Sequence, residues 1–214
     1  DVTDFVVSDA HGSARSMGSS GGSFRLDASR SALLPESVLA FPDNLEFEAL
    51  LSFAADGAGR AVREVAPSAD AVTLVQHHSL VRLPDEDYVP LTWDPRAGGF
   101  SSGFTDLAAH PAAPNRVEYA VRHRLVKQRP ERALSPPVEP IVYYVDRGAP
   151  EPVRSALVEG ASWWSEAFEA AGFEDAFRVE LLPEGAHPLD VRYNVIQWVH
   201  RSSRGWSYGG GVTD

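Results

Sequence analysis

The sequence predicts an α+β protein: an antiparallel β-rich region over residues 1–138, then a β-α-β segment over 139–214. Three observations carry this reading. Apolar and polar residues alternate along several stretches before residue 130, which is the period of a half-buried strand. Prolines crowd Arg129–Pro140. Beyond them, one stretch places apolar residues at the spacing of a helix face, flanked by short apolar runs.

In chain order, Gly18-Ser19-Ser20-Gly21-Gly22-Ser23 reads as a flexible loop. In Leu45–Phe53, Leu45, Phe47, Ala49, Leu51 and Phe53 point one way, and Glu46 and Glu48 the other. Val72–Leu83 is a β-branched apolar run between Pro67-Ser68 and Pro84-Asp85. Asp94–Gly99 and His110–Asn115 are turns. Val117–Leu125 alternates, with Val117, Tyr119, Val121, His123 and Leu125 on one face. Pro130, Pro136, Pro137 and Pro140 then predict an extended linker, because proline neither continues a helix nor donates to a ladder.

Ile141–Asp146 is a strand. Pro150 and Pro152 sit where a first helical turn tolerates proline, beside Glu151, which suits the positive end of the dipole. Val153, Leu157, Ala161, Trp164, Phe168 and Ala171 form one helix face, and Gly172-Phe173 predicts a glycine stop with an apolar residue after it. Phe177–Leu182 is a second strand. Val191–Val199 is a third, apolar or aromatic on both faces and so expected to be central. No internal repeat is visible.

Composition narrows the function classes. With 19 Lys+Arg against 30 Asp+Glu, the net charge is −11. That argues against nucleic acid and anionic membrane surfaces as partners. No run of about 18 apolar residues is present, so no membrane span is expected. Zero cysteines exclude thiol catalysis, disulfide scaffolds and cysteine-ligated zinc. Asp1-Val2-Thr3-Asp4 has neither an initiator Met nor the basic and apolar regions of a signal peptide. The ends are therefore expected to be cuts within a longer chain.

Few motifs carry chemistry. Gly205-Trp206-Ser207-Tyr208-Gly209 matches the G-x-S-x-G string of a nucleophile elbow. No helix and no triad His follows it in the sequence, so a glycine-rich loop is expected, with a serine hydrolase using Ser207 as an alternative. His11, His77, His78, His110, His123, His187 and His200 include no i, i+4 pair and no H-E-x-x-H. His77 and His78 on one strand point to opposite faces. Arg116, Arg122, Arg124, Lys127, Arg129 and Arg132 read as a solvated basic patch paired with acidic neighbours. Trp163 and Trp164, with Phe168, are expected in the core. The carboxylate pairs Asp85/Asp87 and Glu46/Glu48 are unremarkable in so acidic a chain.

Pro140–Phe177 (PIVYYVDRGAPEPVRSALVEGASWWSEAFEAAGFEDAF) and His187–Asp214 (HPLDVRYNVIQWVHRSSRGWSYGGGVTD) resemble large bacterial zinc-dependent metalloproteases of metzincin type. Leu26–Phe53, His77–Pro90, Trp93–Phe100 and Arg122–Asp146 resemble the region preceding their catalytic domain; Leu91 stands where that family tends to have Arg. The resemblance implies that 139–214 opens a metzincin-like catalytic domain of a secreted or periplasmic enzyme acting on peptide or protein substrates. It implies zinc held by the three histidines of an H-E-x-x-H-x-x-G-x-x-H helix, whose Glu activates water. That helix lies downstream of Asp214, so no catalytic, cofactor or metal residue is assigned within 1–214. The alternative of a different class is a non-catalytic β-rich binding module.

Overall fold

The computed structural model describes residues 5–83, 88–110, 112–200 and 209. Strand outweighs helix, 34% to 19%, which is the α+β class. The chain divides into two compact units, Asp1–Arg82 with Leu189–Val191, and Leu83–Pro188 with Arg192–Asp214. No helix among the described residues is long and apolar enough to cross a membrane.

The first unit is organised by one long strand. Strands β1 (Ser23–Leu26), β2 (Ala32–Ala40), β3 (Asn44–Asp56) and β4 (Ala71–Val81) form an antiparallel sheet. β1 and β2 both pair with β3, and β4 pairs with β3 from Asn44↔Val81 to Ala54↔Ala71. Phe41-Pro42-Asp43 turns β2 into β3, with Phe41 N–H donating to the Asn44 carbonyl at 2.8 Å. The predicted alternation along Leu45–Phe53 is observed. Ala49, Leu51 and Phe53 are buried, and the short helix α1 (Ser13–Gly18) with Val6, Val7, Ala14 and Met17 packs on them. Asp9 ties down the start of α1, its carboxylate accepting from the N–H groups of Ser13 and Ala14 at 2.6 and 3.0 Å.

β1, β2 and the short helix α2 (Arg60–Val65) were not read from the sequence. The loop Gly18–Ser23, expected to be flexible, is instead packed backbone against backbone. A Cβ at Gly22 would strike the Gly57 carbonyl, and one at Gly59 the Ser20 carbonyl. Glycine permits this close approach.

In the second unit, β5 (Ser101–Thr105) and β6 (Arg116–Ala120) form an antiparallel hairpin. The strand predicted over Val117–Leu125 stops at Ala120 because its partner runs out at Ser101. Arg129–Pro140 is not an extended linker. Gln128 N–H donates to the Pro136 carbonyl at 2.9 Å and Val138 N–H to the Val126 carbonyl at 2.8 Å. Ser135 is fully buried, its hydroxyl accepting from Arg129 N–H at 3.1 Å and its carbonyl from Glu174 N–H at 3.1 Å. Prolines lack a donor but keep a carbonyl, and those carbonyls are what the segment uses.

A three-stranded parallel sheet follows in the order β8 (Phe177–Leu181), β7 (Ile141–Val145), β9 (Asn194–Ile196). β7 is central, with Val145 fully buried, and Val191–Val199 contributes only three residues at an edge. The backbone of Val191 is engaged elsewhere: its N–H donates to Asn44 Oδ1 within the first unit, at 3.1 Å.

The helix predicted over 150–171 is two, α3 (Val153–Ser162) and α4 (Trp164–Ala170). Ser162 and Ser165 bond back to the carbonyls of Val158 and Ser162, at 2.6 and 2.8 Å, which bends a helix. Past the break, Trp163 and Trp164 are 67% and 62% exposed rather than in the core, while Phe168 stacks on Phe177 at 5.5 Å. Gly172, at φ 91°, stops α4 as predicted. Its N–H donates to the Glu169 carbonyl and that of Phe173 to the Phe168 carbonyl, both at 2.9 Å.

Phe53, fully buried at the centre of the first sheet, and Phe100, 85% exposed, make a matched pair of substitutions. Phe53→Ala is expected to destabilise the first unit by about 3–5 kcal/mol through lost burial and a cavity. Phe100→Ala should change stability by about 0.5 kcal/mol or less. Urea midpoints followed by circular dichroism check both.

Candidate functional site

The most concentrated polar chemistry lies on the face of the first sheet opposite its core. Alternation along β3 turns Asn44, Glu46, Glu48 and Ser52 to that face, and cross-strand register adds Val81, Ser79, His77 and Thr73 from β4. Glu46, unremarkable by sequence, is the centre. It is 3% exposed, and its carboxylate is saturated with donors. Ser79 Oγ–H and Asn44 Nδ2–H donate to Oε1, both at 2.5 Å, and His77 Nε2 lies 2.6 Å from Oε2.

Asn44 extends the network. Its Nδ2 also donates to the Leu189 carbonyl at 2.8 Å, and its Oδ1 accepts from Val191 N–H. Residues 189–191, with Asp190 buried, thereby cover one end of this face. His77 remains 40% exposed in its side chain, with Nδ1 3.7 Å from Glu48 Oε1. That distance is too long for a hydrogen bond.

Burial alone would push the Glu46 carboxyl up. Hydrogen bonds from Ser79, Asn44 and His77, with the charge of His77, outweigh it and hold the group below the ordinary carboxylate range. A general acid needs the opposite shift. Ser79 Oγ–H donates to Glu46, a carboxylate held too acidic to take the proton, and His77 Nε2 meets Glu46 and not the serine, so the histidine does not activate the hydroxyl. The cluster is built to hold a carboxylate ionised and two strands in register.

The other candidates are dispersed. His78, on the opposite face from His77 as predicted, stacks on Phe47 at 5.0 Å and meets Gln76 Nε2 at 2.8 Å. His110 Nδ1 accepts from Ala112 N–H at 3.2 Å, His123 is edge-on to Tyr143, and His200 edge-on to Trp198. Within the basic patch, Arg116 pairs with Glu118 at 3.4 Å. Arg122 instead donates to the Val89 carbonyl and lies over Tyr88, and Lys127 Nζ donates to the carbonyls of Arg132 and Ala133 at 3.1 and 2.7 Å. Ser207, Asp85 and Asp87 lie outside the described residues. Among the described residues no three His, Asp or Glu side chains form a metal-holding group.

Because the folded pKa of Glu46 is lowered, the unfolded chain takes the proton first as pH falls. The carboxylate's contribution to stability is therefore complete above its unfolded range, about pH 4.5, and is lost as pH falls through the lower folded value. Glu46→Gln is expected to cost about 1–3 kcal/mol at pH 7 and to flatten stability below pH 5. Urea unfolding from pH 3 to 7 on both proteins measures the two slopes.

A family described as a domain of unknown function (DUF5117) matches residues 1–128, more than half of the 214. No curated protein and no solved structure matches the chain. The matched span takes in all four strands of the first sheet, the Glu46 cluster and the β5–β6 hairpin. The chain belongs to the DUF5117 family.

Proposed function

We propose that this chain is the amino-terminal part of a secreted or periplasmic zinc-dependent metallopeptidase. In this reading 139–214 opens the catalytic domain, and peptide-bond hydrolysis belongs to the longer protein. The observation that carries the proposal is the likeness of Pro140–Phe177 and His187–Asp214 to metzincin-type proteases. The parallel crossover from β7 through α3 and α4 to β8 supports it, being the architecture that likeness implies.

The described residues do not fit zinc. His77 and Glu46 are the closest His–carboxylate pair here, and both oxygens of Glu46 are occupied by Ser79, Asn44 and His77. A zinc site needs three or four free donors converging at about 2.0–2.2 Å. The ligands in this proposal are the histidines of the downstream H-E-x-x-H-x-x-G-x-x-H helix. The role of 139–214 in this reading is to supply strands and a helix against which that helix packs.

Two measurements test the proposal. Read past Asp214, the frame should encode H-E-x-x-H with a third His within about 200 residues, the span of one further domain. The protein carrying that segment should hold one zinc by elemental analysis and cleave casein in a chelator-sensitive way, whereas residues 1–214 alone should do neither. A frame without the motif, or stoichiometric zinc on 1–214, defeats it.

A further inference from the structure

Strand β4 forms one edge of the first sheet among the described residues. β4 pairs with β3 along its whole length, and among the described residues no backbone group bonds to its other side. The bonds just past the strand ends settle which groups face outward. Ala55 N–H donates to the Asp70 carbonyl and Arg82 N–H to the Asp43 carbonyl, both at 2.8 Å and both in the β3–β4 register. Even-numbered residues of β4 are therefore bonded to β3. By the alternation of an antiparallel ladder, Ala71, Thr73, Val75, His77, Ser79 and Val81 turn their N–H and C=O groups outward.

The two outer strands are treated differently. β2 carries Pro35 and Glu36 and breaks register between Leu34 and Leu39, all devices that block further pairing. β4, with sequence AVTLVQHHSLV, has no proline and no Asp, Glu, Lys or Arg across its span. Val75 is 55% and Leu80 49% exposed.

We propose that the β4 edge takes up an extended peptide segment of neutral to basic composition as an added strand. The outward N–H and C=O groups supply the ladder, as in other β-augmentation sites. Charge selects the occupant. The chain carries −11, and Glu48, 41% exposed in its side chain, flanks His77 one strand in from the edge, so cationic side chains on that face are favoured. A second copy would set −11 against −11 and is disfavoured. The inference does not depend on the peptidase reading.

The test uses the 214-residue chain and a fluorescein-labelled nonapeptide, Lys-Val-Thr-Val-Lys-Val-Thr-Val-Lys. Controls are the same peptide with Glu for Lys and one N-methylated at every residue, which offers no backbone N–H on either edge. Anisotropy should saturate with the basic peptide, and both controls should bind at least about tenfold more weakly. Hydrogen exchange should slow at Thr73, Val75, His77 and Ser79. Val75→Pro removes an outward N–H without touching a β3 bond, and Val75→Lys adds a charge at an exposed position; both should weaken binding about tenfold. The lysine variant decides the matter if the proline variant does not fold. Equal binding of the N-methylated peptide, absence of saturation, or protection away from β4 overturns the proposal. So does concentration-dependent dimerisation that protects the same amides without peptide, which would make a second copy the occupant.

Discussion

Strand β3 is the constraint on which the first unit rests. Its odd-numbered residues are bonded to β4 and its even-numbered ones face β1 and β2, so three strands depend on the backbone of a single element. Its side chains divide as sharply. Ala49, Leu51 and Phe53 close the apolar core, while Asn44, Glu46 and Ser52 are buried on the reverse face. A one-residue slip would drive Glu46 into the core and Leu51 out of it. The donors around Glu46 reinforce the register: Ser79 is its cross-strand partner, and His77 is the diagonal neighbour, directly opposite Glu48.

The elements legible in the sequence were those whose own residues decide their state. β3, β4, β7 and β8 announce themselves by alternation or by unbroken apolar runs, and the Gly172 stop by local chemistry. The misreadings share a different cause. β6 is shorter than its alternation because β5 ends, and β9 shorter than its apolar run because Val191 is bonded to Asn44. Helix periodicity carried Trp164 inward across a break that two serine hydroxyls bring about. Partner length and side-chain bonds to distant backbone are not properties of a local window.

The Glu46 cluster was hidden for the same reason. Glu46 and Glu48 look like ordinary solvent-facing carboxylates on an amphipathic strand, and His77 like one of two adjacent histidines on a strand. What makes Glu46 unusual is that Ser79 and His77, more than thirty residues on in sequence, arrive beside it in register, and that 189–191 closes over Asn44. The only sequence signal was parity. Asn44, Glu46 and Glu48 share one face of β3, and His77 and Ser79 share one face of β4, so antiparallel pairing could join the two sets.

The return of residues 189–191 to the first unit has a bearing on synthesis. Asn44 leaves the ribosome long before its partner, the Leu189 carbonyl, which lies 145 residues later. At about 5–20 residues per second, roughly 7–30 s separate the two. The first sheet can pair during that interval, but the end of its polar face stays open to water and to chaperones until residue 191 has emerged. The amino-terminal unit therefore completes its folding only after most of the second unit has been made.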